Sequence, residues 1–176
     1  MSPDLWPPAH PLLGDVARAV GYTTAAFGKI SAGGGTMTPE QITACGWDYW
    51  LGFLGHIDCR DFYSNYIWEN GQKISLPENT PEILEGTSLL KNGGTSRAAN
   101  GTGTGVVGEG KGTFIEDLYA DRIIEFIATN KDRPFFVYFA STVPHGGSPG
   151  QGTSLHVHKS LISFYEGDFG VNISLI

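Results

Sequence analysis

Two residues combine useful chemistry with a telling position: Lys29, directly after YTTAAFG, and His145, which closes FFVYFASTVPH. Lys29 puts a cation, and His145 an imidazole, just after a strand-like run. Phe135–Ala140 comes straight after Pro134, is rich in aromatic residues, and is too short to be a second helix so soon after the one before it. It therefore reads as the most buried strand of a parallel α/β sheet, covered on both faces. Residues 22–27 read as another strand, leading into Gly28 and Lys29. Ligands of open α/β sheets gather outside the carboxyl ends of the strands, and there Lys29 emerges from one run and Ser141, Thr142, Pro144 and His145 from the other. The plain alternative for Lys29 is a solvated loop residue.

The remaining elements must position these two ends. Leu12, Leu13, Val16 and Val20 recur at helical spacing, which predicts a short amphipathic helix over residues 11–19 with Gly21 as its C-terminal cap. Thr38-Pro39-Glu40 has the form of a helix start, with Thr as cap and Pro in the first turn. The segment from Gly46 to Trp68 is crowded with aromatics and holds three of the four tryptophans, predicted mainly as core, with sugar stacking as the functional alternative. Asn70-Gly71 between YIWE and QKISL predicts a hairpin over residues 66–76. Residues 87–112 are rich in Gly, Thr, Ser and Asn, lack the apolar content that would repay ordering, and predict a long flexible loop. Thr113 and Glu116 have the spacing of a capping box. Ile115, Leu118, Tyr119, Ile123, Phe126 and Ile127 then form one stripe of a helix over residues 114–129.

With 176 residues, 40% of them hydrophobic, the chain suits one domain, and 25 Gly and 10 Pro indicate much loop. A net charge of −7 argues against general affinity for nucleic acid or anionic membranes, leaving room for one local basic pocket. No apolar run is long enough to span a bilayer, and the first residues lack the form of a signal peptide, although a leader lost with the N-terminus would leave the compartment undetermined.

Other candidate groups are weaker. Cys45 and Cys59 have no CxxC spacing; they allow one disulfide or two thiols, and two thiols are expected. His56 has no partner at ligand spacing, and His156 with His158 make two ligands on one strand face without a third. The glycine-rich stretch contains no GxxxxGK[ST], and the sequons at Asn100 and Asn172 matter only along a secretory route.

Three segments resemble the sulfatase family in its arylsulfatase branch: GYTTAAFGK at residues 21–29, the aromatic segment with its hairpin at 47–80, and GTFIEDLYADRIIEFIATNKDRPFFVYFASTVPH at 112–145. The resemblance implies a partial alkaline-phosphatase-like α/β fold, a mostly parallel sheet flanked by helices, with a β-hairpin insertion and a long Gly-rich loop. It implies that residues 1–145 are an internal fragment of a sulfatase catalytic domain, and that 146–176 form a divergent tail. By position, Lys29 and His145 take the family's sulfate-binding roles. Where the family continues Lys-Trp-His-Leu-Gly this chain has Lys29-Ile30-Ser31-Ala32-Gly33, so Ser31 stands in place of the second active-site histidine.

The complete family domain uses calcium and a formylglycine made from Cys in a C-x-[PA]-x-R context. Here Cys45 is followed by GWDY and Cys59 by RDFY, so neither qualifies, and the family's calcium-binding aspartates have no counterpart. The resemblance thus implies sulfuric ester hydrolysis for the family, acting on a sulfated small molecule or glycan, with this chain inactive alone. The alternatives are a non-catalytic remnant that binds sulfated glycans or a protein partner, and a related phosphate or phosphonate ester hydrolase.

Overall fold

The computed structural model describes residues 10–31, 36–55, 59, 64–79 and 113–143. The predicted loop 87–112, the tail 146–176, both sequons and His56, His145, His156 and His158 lie outside them. The described residues belong to two compact units, one drawn from Met1–Cys59, Ile67–Ile74 and Glu116–Thr142, the other from Arg60–Tyr66, Ser75–Ile115 and Val143–Ile176.

Local chemistry sets most element ends. Helix α1 (Leu13–Ala19) starts where Asp15 Oδ2 accepts the Leu12 N–H at 2.9 Å. It ends where Gly21, at φ +89°, donates to the Arg18 carbonyl at 2.9 Å, the left-handed stop that glycine adopts most easily. Strand β1 (Thr23–Gly28) follows at once. Helix α2 (Pro39–Thr43) has the predicted start: Thr38 Oγ1 accepts the Gln41 N–H, and Gln41 Oε1 accepts the Thr38 N–H at 2.9 Å. Strand β2 (Tyr49–Gly52) leads to the hairpin of β3 (Tyr66–Glu69) and β4 (Gln72–Ser75), turned by Asn70 at φ +45° and Gly71 at φ +88°. Positive φ at both central residues is what a two-residue hairpin with matched twist requires. Asn70 also accepts the Trp50 N–H on its Oδ1 at 2.7 Å, tying the turn to β2. The long helix α3 (Ile115–Asn130) and strand β5 (Phe135–Ala140) complete the chain order.

The five strands form one mixed sheet in the order β4-β3-β2-β1-β5, consistent with a partial alkaline-phosphatase-like α/β fold. β1 pairs in parallel with both β2 and β5, while β2 and β3 are antiparallel. The register places Ala26, Trp50 and Tyr138 on one face and Ala25, Tyr49 and Val137 on the other. On the first face Ile30, Met37, Ile42, Cys45, Trp47 and Trp50 pack around Ala26, with Trp68 against them, so the segment's three tryptophans pack as core as predicted. The second face takes α3: Phe126 lies 6.5 Å from Phe27 and 6.2 Å from Phe135, ring centre to ring centre.

Three predicted features come out differently. β5 is not the most buried strand; it lies at one end of the strand order, with Tyr138 41% and Phe139 44% exposed. Among the described residues only β1 pairs with it, so along its other edge no described strand lies beside its side chains. Of the predicted stripe of α1, Leu12 packs against the core while Leu13, Val16 and Val20 turn outward, half or more exposed. This helix seats by backbone instead: a Cβ on Gly14 would fall 2.4 Å from the Cys45 carbonyl oxygen, and one on Gly46 2.3 Å from the Asp15 nitrogen. Such close approach needs glycine on both sides, and it dictates which helix face points inward. Finally, the return half of the Thr113–Glu116 capping box is not made. The Thr113 N–H donates to Asn79 Oδ1 at 2.7 Å, and the Glu116 carboxylate is engaged elsewhere.

In the second unit the described residues gather on Asn79. Its buried side chain donates to the Ser64 and Thr113 carbonyls, each at 2.8 Å, while Leu76 donates to the Asn65 carbonyl.

Candidate functional site

The carboxyl ends of β1 and β5 meet at Gly28. This residue has φ +91°, and a Cβ there would lie 2.1 Å from the Ala140 carbonyl oxygen, so the two backbones touch in a way that excludes any side chain. One residue on, the Lys29 N–H donates to that same carbonyl at 2.8 Å. Lys29 is thereby fixed at the edge where open α/β sheets bind ligands. It is half-buried, and among the described residues its ammonium forms no ion pair. Ile30 and Ser31 turn back into the protein. The Ser31 hydroxyl is buried and has no hydrogen-bond partner among the described residues.

Across from Lys29, β5 is followed by Ser141 and Thr142. Thr142 donates its N–H to Glu116 Oε1 at 2.8 Å and its hydroxyl to the same oxygen, while the Ser141 hydroxyl donates to Oε2 at 3.0 Å. The source of this carboxylate follows from topology. α3 immediately precedes β5 and packs on it antiparallel, so the first turn of the helix lies beside the last residues of the strand. One turn further along α3, Tyr119 is wholly buried, with its ring 6.0 Å from Phe139 and its hydroxyl without a partner among the described residues. Burial, with Cys59 and Glu116 nearby, keeps that phenol protonated far above its usual range.

Of the two sequence-predicted site residues, Lys29 stands at the predicted strand end, whereas His145 lies outside the described residues. Glu116 was missed as a site residue because its spacing from Thr113 imitates a helix cap. The available signal was topological: an acidic residue in the first turn of a helix that returns into a strand sits beside that strand's exit.

A cavity of about 360 Å³ opens between the sheet and α3, lined by Tyr49, Glu69, Arg122, Glu125, Phe126, Thr129 and Asn130. Its residues come from the start of β2, the end of β3 and residues 122–130 of α3; Tyr49 at the start of β2 lies at the opposite end of the sheet from Lys29. Tyr49 donates its hydroxyl to Glu69 at 2.5 Å, and Arg122 pairs with Glu69 and Glu125, so its polar groups already satisfy one another. Burial raises the Tyr49 phenol well above its normal range, and the Glu69 bond adds to this.

The cysteines do not suit nucleophilic chemistry. Cys45 and Cys59 are both buried, and Cys45 donates its thiol to the Gln41 carbonyl. Burial, followed by the charge of Asp15, pushes the Cys45 thiol up to about 11, the reverse of activation. Among the described residues no three His, Cys, Asp or Glu side chains come together to hold a metal ion. Nor is any helix among them long and apolar enough to cross a membrane.

Comparison with known families agrees with this geometry. The profile described as Sulfatase matches residues 4–157, most of the chain. No individual curated protein matches significantly. A match over that span includes β1 with Lys29, the hairpin, α3 and β5, and it places the chain in the sulfatase family.

Proposed function

We propose that this chain carries the anion-holding part of a sulfuric ester hydrolase domain, with Lys29 and His145 as contacts to the sulfate group of a small molecule or glycan. The observation that carries the proposal is the backbone bond from Lys29 to Ala140, which holds a half-buried lysine at the carboxyl end of β1. Sulfate oxygens bear the ester's negative charge, and a fixed cation beside them stabilises the further charge that builds on the leaving oxygen. The imidazole of His145 would add a second donor, protonated or neutral according to pH.

The sequence supplies no nucleophile of the family kind. Both cysteines lie outside the C-x-[PA]-x-R context, and Cys45 is a buried, hard-to-ionise thiol. That favours, as a second role, a chain that binds sulfated ligands without turning them over.

Titrating the ¹⁵N-labelled chain with inorganic sulfate and with an aryl sulfate, followed at the Lys29 amide, tests the proposal. Saturable shifts are expected for the wild type. Lys29→Ala should weaken binding by about tenfold or more, the scale of one lost charge-assisted contact. Equal affinity of wild type and variant would overturn the assignment of Lys29. Release of the phenol from the aryl sulfate separates turnover from binding, and none is expected from this chain. Inorganic phosphate in a parallel titration distinguishes sulfate preference from general oxyanion binding.

A further inference from the structure

The Glu116 carboxylate faces the exit of β5. Both of its oxygens are used, and all three donors come from two consecutive residues, Ser141 and Thr142, at the exit of β5. These residues directly follow Ala140, whose carbonyl accepts the Lys29 N–H at 2.8 Å. A continuous chain of contacts therefore runs from the first turn of α3, through the end of β5, to the backbone of Lys29. Phe139 is 44% exposed and Ser141 is exposed, and β1 is the strand's one partner among the described residues. Loss of the carboxylate would remove three bonds from the residues that directly follow Ala140, and with them part of what sets the Lys29 backbone at the sheet edge.

We infer that Glu116 is a positioning residue for anion binding: through Ser141, Thr142 and the Ala140 carbonyl it holds the Lys29 backbone, and so the root of its side chain, at the sheet edge. Glu116 does not touch the anion, and its own negative charge is directed into three donors. The inference rests on the proposed sulfate contact at Lys29.

The test uses the full chain, inorganic sulfate as probe, and the Lys29 amide shift as readout, together with a thermal melt of each protein. Glu116→Ala is expected to raise the Kd for sulfate about tenfold, one charge-assisted network lost. Glu116→Gln, which keeps an acceptor for Thr142, should restore most of the affinity and bind within about threefold of wild type. Thr142→Val removes one donor and leaves the backbone bond, so it should fall between them, and it serves if Glu116→Ala fails to fold. A merely structural Glu116 would lower the melting temperature while leaving the Kd of the folded protein unchanged. Wild-type affinity in the folded Glu116 and Thr142 variants, with weakening in Lys29→Ala, would overturn the positioning role and leave sulfate binding standing. Absence of sulfate binding by the wild-type chain would overturn the sulfate contact, and the positioning role with it.

Discussion

β1 and β5 are six residues long, parallel and in continuous register from Thr23 opposite Phe135 to Gly28 opposite Ala140, yet they sit at different depths. In β1, Thr24, Ala25, Ala26 and Phe27 are each 0% exposed. In β5 the more apolar sequence leaves Tyr138 and Phe139 more than two-fifths exposed. The difference is one of neighbours. β1 has a paired strand on each side, the tryptophan-rich core on one face and α3 on the other. β5 has β1 alone among the described strands, and its large rings cover the centre instead of being covered: Trp47 stacks on Phe136 at 6.2 Å and on Tyr138 at 5.9 Å. Small residues can thus mark the deepest strand better than large apolar ones, because alanine lets the packing layers close over it.

The largest effect should come where the two strands meet. Gly28→Ala puts a Cβ against the Ala140 carbonyl and strains a backbone at φ +91°, so a loss of about 4 kcal/mol or more is expected, read from urea unfolding. Next, Phe27→Ala in β1 should cost about 3–5 kcal/mol and Phe139→Ala in β5 about 1 kcal/mol, since only the first opens a cavity in a closed core. Equal costs in the same urea experiment would mean that β5 is as deeply covered as β1 in solution.

A smaller effect sharpens the contrast by pH. Cys45 belongs to the core against β1, and its thiol rises from 9.0 to about 11 in the folded chain, chiefly through burial and then through Asp15. Below pH 9 the thiol is protonated in both states and the stability is fully present; between 9 and about 11 the unfolded chain loses its proton first, so stability falls as pH rises. Urea midpoints should therefore decline over that window, and Cys45→Ala should flatten that part of the decline. An unchanged slope in the variant would assign the alkaline loss to other groups.

Much of the local structure was legible because its causes are local. The Thr38-Pro39 helix start, the Asn70-Gly71 turn and the Gly21 stop each follow from the backbone preferences of two or three residues, and each is formed. The apolar stripe of α3 was legible too, with Ile115 and Tyr119 buried, although Ile127 at its far end is 39% exposed. The spacing of α1 misled because periodicity shows that a helix has an apolar side but not which side finds a partner. Contact between Gly14 and Gly46, thirty-two positions later, settled that. The spacing of Thr113 and Glu116 misled for a similar reason: a local cap competed with donors 26 residues away, and the distant donors prevailed.

By itself the sequence determined which stretches became helix, strand and turn, and that Lys29 follows directly on a strand, since these depend on φ preferences and short-range alternation. The order of the strands, the depth of β1 against β5, the outward face of α1 and the partners of Glu116 were decided only by the tertiary structure. Burial and hydrogen bonding between distant residues depend on which surfaces meet, and a glycine that admits a backbone to within touching distance acts only once the other backbone has arrived.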